Sequence, residues 1–379
     1  MHEIIFYPVG NGDTSQIVLE NGKRILFDYR HLKKIENVEG PEINLKDRLK
    51  DELKDAKKDS FDVVAFSHAD KDHIENSTEF FELRHAKKYQ GEGRIKIDEL
   101  WVPAAIILEA ATNGDQSEEF ILWRQEARYR LKEGTGIRVF SKPDKLKDWL
   151  EKNDLSVDSR RHLITDAGQV IPGFTLASDG VEFFCHSPFI KHVDGEEDIL
   201  RNSASLVFNV RFKAGSNVYD YLFVGDTEWE VLEEIVKTSK YHGNDNRLAW
   251  NLFNIPHHCS YLALSDTKGD NETIPKPLVK ELLLSGKEGA YIISSSKPIL
   301  DTKEGREQLQ PPHIQAKKCY ERHLKEVCGA KFLVTMEEPN GLYPEPLIFN
   351  IESNGISRGG KVITSAVSSI ISAPAPKAG

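Results

Sequence analysis

Phe61-Asp-Val-Val-Ala-Phe-Ser-His-Ala-Asp-Lys-Asp-His-Ile-Glu-Asn76 decides how this chain is read. Its first half, around Val63-Val64-Ala65-Phe66, is the apolar run of a buried strand. Its second half carries four potential metal ligands, His68, Asp70, Asp72 and His73, within six residues. A loop leaving a strand end can turn several short side chains onto one point. Imidazole nitrogens and carboxylate oxygens are the donors that hold divalent cations. A plain polar turn needs Asp, Asn or Gly and gives no reason for two histidines at fixed offsets.

Working outward, the 379 residues suffice for one large domain or two ordinary ones. Hydrophobic content of 39% allows a sizeable core, and 29% charged residues keep its surface polar. No run of eighteen apolar residues exists, so no membrane span is expected. Met1-His-Glu-Ile lacks the basic start of a signal peptide. Cys185, Cys259, Cys319 and Cys328 have no zinc-finger spacing and read as reduced thiols of a cytoplasmic protein. A net charge of −10 argues against a long nucleic-acid footprint unless cations cluster locally. Lys87-Lys88, Arg94, Arg124, Arg128 and Arg130 are the candidates for such a rim.

Patterning predicts a strand hairpin, a charged helix over 45–58, and the strand at 61–66. A helix is expected over 77–85, then a strand at 100–103. Residues 105–165 read as a mainly helical insertion, clearest at 118–133 and 144–153. Strands return at 181–186, 204–212, 219–224, 252–255 and 290–294, with helices at 228–238, 276–284 and 313–326. A final strand pair is expected near 331–336 and 346–351. Residues 1–355 form the expected domain, and the Ser/Ala/Pro-rich stretch 356–379 an expected disordered tail.

The loop His68-Ala-Asp-Lys-Asp-His73 resembles the first metal motif of the metallo-β-lactamase superfamily, with Asp70 where the usual pattern has a second His. That variant is similar to the hydrolase domain of ComEC-type DNA-uptake proteins and their free-standing relatives. Four further stretches agree in order: Val9-Gly-Asn-Gly-Asp-Thr14 with Ile25-Leu-Phe-Asp28, Asn202-Ser-Ala-Ser-Leu-Val-Phe208, Leu222-Phe-Val-Gly-Asp-Thr-Glu228, and Ile255-Pro-His-His-Cys-Ser260. The resemblance implies an α+β fold, an αββα sandwich of two mixed β-sheets flanked by helices. It also implies a binuclear hydrolase using two divalent ions, Zn²⁺ or Mn²⁺, on nucleic acid or a nucleotide. A lactone, β-lactam or thioester hydrolase and a metal-binding module without turnover remain as alternatives.

By the same resemblance, His68 and Asp70 hold one cation, Asp72 and His73 the other, and Asp226 bridges them. Asp226 could instead cap the helix that follows it. His257 and His258 leave a strand side by side, so one can ligate while the other faces substrate; His258 is taken as the ligand. Cys259 stands where the family has Gly. No Gly-His supplies the usual third imidazole, and His186, ending a strand in Cys185-His-Ser-Pro188, is the candidate. Asn202 and Ser205 match positions that orient substrate, and His313 in Gln310-Pro-Pro-His-Ile314 is expected as ligand or catalytic acid. Asp70 makes the donor set harder, which tilts it toward Mn²⁺.

Overall fold

The computed structural model describes residues 1–32, 40–91, 93–109, 117–194 and 201–359. Fifteen strands are found among them: β1 His2–Phe6, β2 Ser15–Val18, β3 Arg24–Phe27, β4 Ser60–Ala65, β5 Lys96–Pro103, β6 Ile137–Phe140, β7 Ile164–Thr165, β8 Val181–Ser187, β9 Val207–Ala214, β10 Asn217–Val224, β11 Trp250–Asn254, β12 Gly286–Ser294, β13 Lys331–Val334, β14 Leu347–Glu352 and β15 Gly355–Gly359. One sheet runs β15-β14-β1-β2-β3-β4-β5-β6-β7, the other β13-β12-β11-β10-β9-β8. The first is antiparallel as far as β3 and parallel from β3 to β7. The second is parallel from β13 to β10 and antiparallel through β9 to β8. The expected α+β sandwich of two mixed sheets is therefore observed.

Three apolar layers hold it together. Ile4, Phe6, Phe27, Val63, Ala65 and Trp101 of the first sheet meet Phe183, Phe208, Phe223 and Leu252 of the second. Ile5, Leu26 and Val64, on the opposite face, pack against Leu45, Leu49 and Leu53 of the helix Leu45–Asp55 and Trp123 of the helix Glu118–Glu133. Leu222, Trp250, Phe253 and Ile292 meet Ile235 of the helix Trp229–Tyr241 and Leu324 of the helix Ile314–Glu326. Val63 and Val64 thus face different layers, and a strand covered on both sides carries no polar alternation.

Several boundaries differ from expectation. The helix at 77 stops at Phe80, because Phe81 turns extended and bridges Ile95. The insertion is not only helical: β6 and β7 extend the first sheet, which four- and two-residue strands hardly signal in sequence. The two segments expected as a final strand pair, near 331–336 and 346–351, do not pair with each other. β13 lies beside β12 after a helical crossover, while β14 closes against β1. The tail boundary at 356 falls inside β15, which pairs with β14; residues 360–379 lie outside the described residues.

The arginines expected as a substrate rim are spent inside the fold. Arg124 donates to the Glu109 carbonyl, and Arg128 to that of Ile107. Arg94 donates to the Phe81 carbonyl. Arg130 is fully buried and donates to the carbonyls of Ile97 and Gly136 and to the Glu126 carboxylate. Removing one partner of a buried ion pair leaves the other uncompensated. Arg130→Ala should therefore destabilise the fold by about 3 kcal/mol, read by urea denaturation; a loss under about 0.5 kcal/mol would mean that water replaces the guanidinium.

Candidate metal centre

The site lies along one edge of the sandwich, where strands of both sheets end. The turn before β2 supplies Asp13, the end of β3 supplies Asp28, and the loop after β4 supplies His68 to His73. Asp226 follows β10, His257 and His258 follow β11, and Ser295 follows β12. Carboxyl ends of strands are the usual place for a ligand in parallel sheets. Two glycines permit the approach. A Cβ on Gly12 would lie 2.6 Å from the Asp72 carbonyl oxygen, and one on Gly225 would lie 2.9 Å from Cβ of Ser67 and 3.0 Å from that of Ser205.

Donor atoms of Asp13, His73, Asp226 and His258, all buried, come within 4.8 Å of one another. His73 Nε2 is 3.2 Å from Asp226 Oδ1. His258 Nε2 is 3.1 Å from Asp72 Oδ2 and 3.5 Å from Asp226 Oδ2. The His68 ring sits 4.1 Å from that of His73, centroid to centroid. Asp13 Oδ1, His68 Nε2, His73 Nε2 and Asp226 Oδ1 are nevertheless buried without a hydrogen-bond partner. The close pair His73–Asp226 is not aligned as a hydrogen bond. Buried polar atoms without partners are costly, and this set has the donor chemistry of a divalent-cation site.

The far sides of the imidazoles are fixed. His73 Nδ1 meets Asp28 Oδ2 at 2.8 Å. Asp28 also accepts from the Ser67 amide and hydroxyl, both at 2.7 Å. His258 Nδ1 lies 2.9 Å from the Ser295 carbonyl, which can only accept. Each Nδ1 thus carries the proton in the neutral ring, and each Nε2 lone pair points into the cluster. Asp28 adopts φ +55°, a backbone cost accepted where it clamps the loop after β4.

Charge reinforces the picture. Burial would lower the pKa of His73, but Asp226 and Asp28 hold it well above the usual value. Burial acts likewise on His258, and Asp226 again outweighs it. Asp226 itself, despite burial, is held well below the carboxylate range by His73 and His258. Asp72 is lowered too, by His258 and His73 against burial. Burial raises Asp13. The protons held on the two imidazoles are those a cation would displace.

Other expected residues are placed differently. Asp70 turns one oxygen to Arg201 Nη1 at 2.7 Å and keeps the other 3.5 Å from His68 Nε2. His186 is not in the cluster. It lies on the outer face of the second sheet, donating through Nε2 to the Arg247 carbonyl at 3.0 Å, with Nδ1 3.4 Å from Ser239 Oγ. Burial brings its pKa down to about 4. His313 has both ring nitrogens engaged by backbone: Nδ1 accepts from the Tyr261 amide, and Nε2 donates to the Leu309 carbonyl. Burial lowers it to about 4 as well, so it is a neutral ring with no free lone pair. Its backbone amide binds the Cys259 carbonyl and pins the turn at 257–259. There His257, His258 and Cys259 all lie in the left-handed region, at φ +52°, +51° and +66°. A glycine at the third position would fit that backbone freely; Cys259 holds it under strain. His257 stands beside the cluster with Nδ1 buried and unpartnered. Ser205 packs on Gly225, its hydroxyl bound to the Arg201 carbonyl, and its amide donates to the Asn202 carbonyl. Asp226 does not cap the helix Trp229–Tyr241, whose N-cap is Glu228.

No family model and no curated protein sequence matches the chain. Solved structures resemble it at low identity. Unliganded yeast PDE1 aligns over 88% of this chain and 97% of its own, at 11% identity and a TM-score of 0.43. The metallo-β-lactamase GOB-18 from Elizabethkingia meningoseptica aligns over 85% and 86%, at 13% identity and 0.29. A diphosphatase of the PhnP family aligns over 83% and 95%, at 10% identity and 0.30. Among the described residues, no helix is long and apolar enough to cross a membrane.

Proposed function

We propose that this chain is a metal-dependent hydrolase that holds two divalent cations, Zn²⁺ or Mn²⁺, and cleaves a phosphodiester in nucleic acid or a nucleotide. The observation that carries the reading is the convergence of unpartnered, buried donor atoms from Asp13, His68, His73 and Asp226. Asp13, Asp72, His73, Asp226 and His258 would hold one cation, with Asp226 shared toward His68 and Asp70. When bound, the cations supply Lewis acidity, acidifying water and stabilising negative charge on the reacting group. The chain's own part is orientation. Asp28 and the Ser295 carbonyl fix the rings of His73 and His258, and Ser67 fixes Asp28. His257 faces the reacting group. The resemblance of His68-Ala-Asp-Lys-Asp-His73 to the ComEC-type loop, and the carboxylate-rich donor set, support a phosphodiester as substrate.

Elemental analysis followed by hydrolysis of bis-p-nitrophenyl phosphate and of nitrocefin tests this. The expected result is bound Zn²⁺ or Mn²⁺, turnover of the phosphodiester abolished by chelator, and none of the β-lactam. Nitrocefin turnover alone would move the chain to acyl chemistry. Bound metal with neither turnover would leave a binding module.

A further inference from the structure

We propose that Arg201 makes the two halves of the site unequal, so that the chain binds one divalent cation tightly and the second weakly. This rests on the metal-dependent reading above. It concerns a difference between two positions that would otherwise share a single bridging carboxylate.

The tight half is built before any cation arrives. Asp13, His73, Asp226 and His258 are all buried, and their donor atoms already lie within 4.8 Å of one another. They come from four separate chain segments whose strands fix them. His73 and His258 are held from behind by Asp28 and the Ser295 carbonyl. A preorganised set spends little on ordering when it binds.

The other half has His68 and Asp70. His68 Nε2 is buried, unpartnered and aimed at the site. The carboxylate of this half, Asp70, is compromised. Asp70 is 36% exposed, and its Oδ1 forms a 2.7 Å ion pair with Arg201. Arg201 cannot swing aside freely. Its Nε and Nη2 hold both oxygens of Glu109, a buried carboxylate, at 2.6 to 3.2 Å. Its guanidinium also lies over the Phe120 ring, 4.7 Å from the centroid. Moving it would break these three contacts with a buried carboxylate. A guanidinium does not lose its proton in a protein. A cation on Asp70 therefore meets a fixed positive charge across the same carboxylate and can use only Oδ2. Repulsion of a divalent ion by that charge, offset only in part by Glu109 on the far side of the guanidinium, would weaken binding severalfold even at the dielectric of water. His186, the expected third ligand, is placed elsewhere and adds nothing.

Equilibrium dialysis of the intact, chelator-stripped protein against graded Mn²⁺, with elemental analysis, reads the two steps. The wild type should bind one Mn²⁺ and then, at ten or more times the concentration, a second. Arg201→Gln combined with Glu109→Gln removes the guanidinium together with the carboxylate it binds, so that ion pair is lost as a unit. In that variant Asp70 Oδ1 is freed and the repulsion goes, offset in part by the lost charge of Glu109, so the second step should tighten severalfold while the first stays put. Arg201→Lys, which keeps the charge, should leave the second step weak. A melting curve checks that each variant is folded. Two equal steps in the wild type, or an unmoved second step in the double variant, would overturn the proposal while leaving the hydrolase reading intact. One Mn²⁺ at all concentrations in the wild type with two in the double variant would support it; one in both would overturn it. No Mn²⁺ or Zn²⁺ bound at any concentration would sink the metal-dependent reading itself.

Discussion

Asp226→Asn should lower turnover of a phosphodiester roughly 10³-fold, several kcal/mol of charge stabilisation converted to rate, a larger loss than the one it causes in the stability of the chelator-treated protein. The side chain lies between two imidazoles, 3.2 Å from His73 Nε2 and 3.5 Å from His258 Nε2. Its volume is unchanged by the amide, so packing is kept. Its charge is what the amide lacks, and charge is what would hold two cations close together there. The helix Trp229–Tyr241 would not notice, since its N-cap is Glu228 and Asp226 makes no capping contact. Steady-state kinetics beside melting curves in chelator separate the two effects. Wild-type turnover in Asp226→Asn would mean that this carboxylate only packs.

What could be read in the sequence follows how local each signal is. The loop at His68–His73 announces itself because four donors crowd a single turn after an apolar strand. Asp226 and His258 were legible for the same reason, each in a short stretch at a strand end. Asp13 and Asp28 stand in the glycine-rich and strand-end motifs, and their neighbours in sequence point to no role at the site. A carboxylate after Gly-x-Gly looks like turn chemistry. Only the fold shows that Gly12 is pressed against the Asp72 carbonyl, which carries Asp13 to His73 and His258. The residue type at Gly12 was the available signal, since a turn there needs no missing Cβ unless another backbone comes close.

The misplaced histidines share one cause. Along β8, Cys185 points between the sheets and His186 to the outer face, beneath the helix Trp229–Tyr241. Period-two alternation says that neighbours diverge, but not which face holds the site. His313 precedes a helix in a polar loop, and nothing in its neighbours reveals that two backbone groups take both nitrogens. The arginines at 124, 128 and 130 fail as a rim for a related reason. They flank Trp123, Ala127 and Leu131 on a helix packed against the first sheet, and their charge serves carbonyls at the ends of nearby elements. Cation counts along a sequence do not say which cations are already paired.

Asp72→Ala with His73→Ala should remove about one cation per chain and most hydrolysis. The two residues lie on the short helix Lys71–Ile74, whose start is held by the His73 amide donating to the Asp70 carbonyl. Successive positions on a helical turn diverge by about 100°, so Asp72 reaches His258 while His73 reaches Asp226. Losing both leaves His258 and Asp226 without their shared neighbours and empties the tightest part of the donor set. The scaffold behind should survive, because Asp28 keeps two hydrogen bonds from Ser67 after the ring is gone. The cavity left by a buried imidazole costs on the order of 2 kcal/mol, and His73→Gln, which fills more of it, serves as the folded control. Asp70→Ala provides the contrast. Its carboxylate is half-committed to Arg201 and partly exposed, so its loss should spare the tight cation and change only the weak one. Elemental analysis after gel filtration reads the first, and dialysis against graded Mn²⁺ the second. Full occupancy and unchanged turnover in Asp72→Ala/His73→Ala would remove these two side chains from the ligand set and leave Asp13 and His258 to be tested in their place.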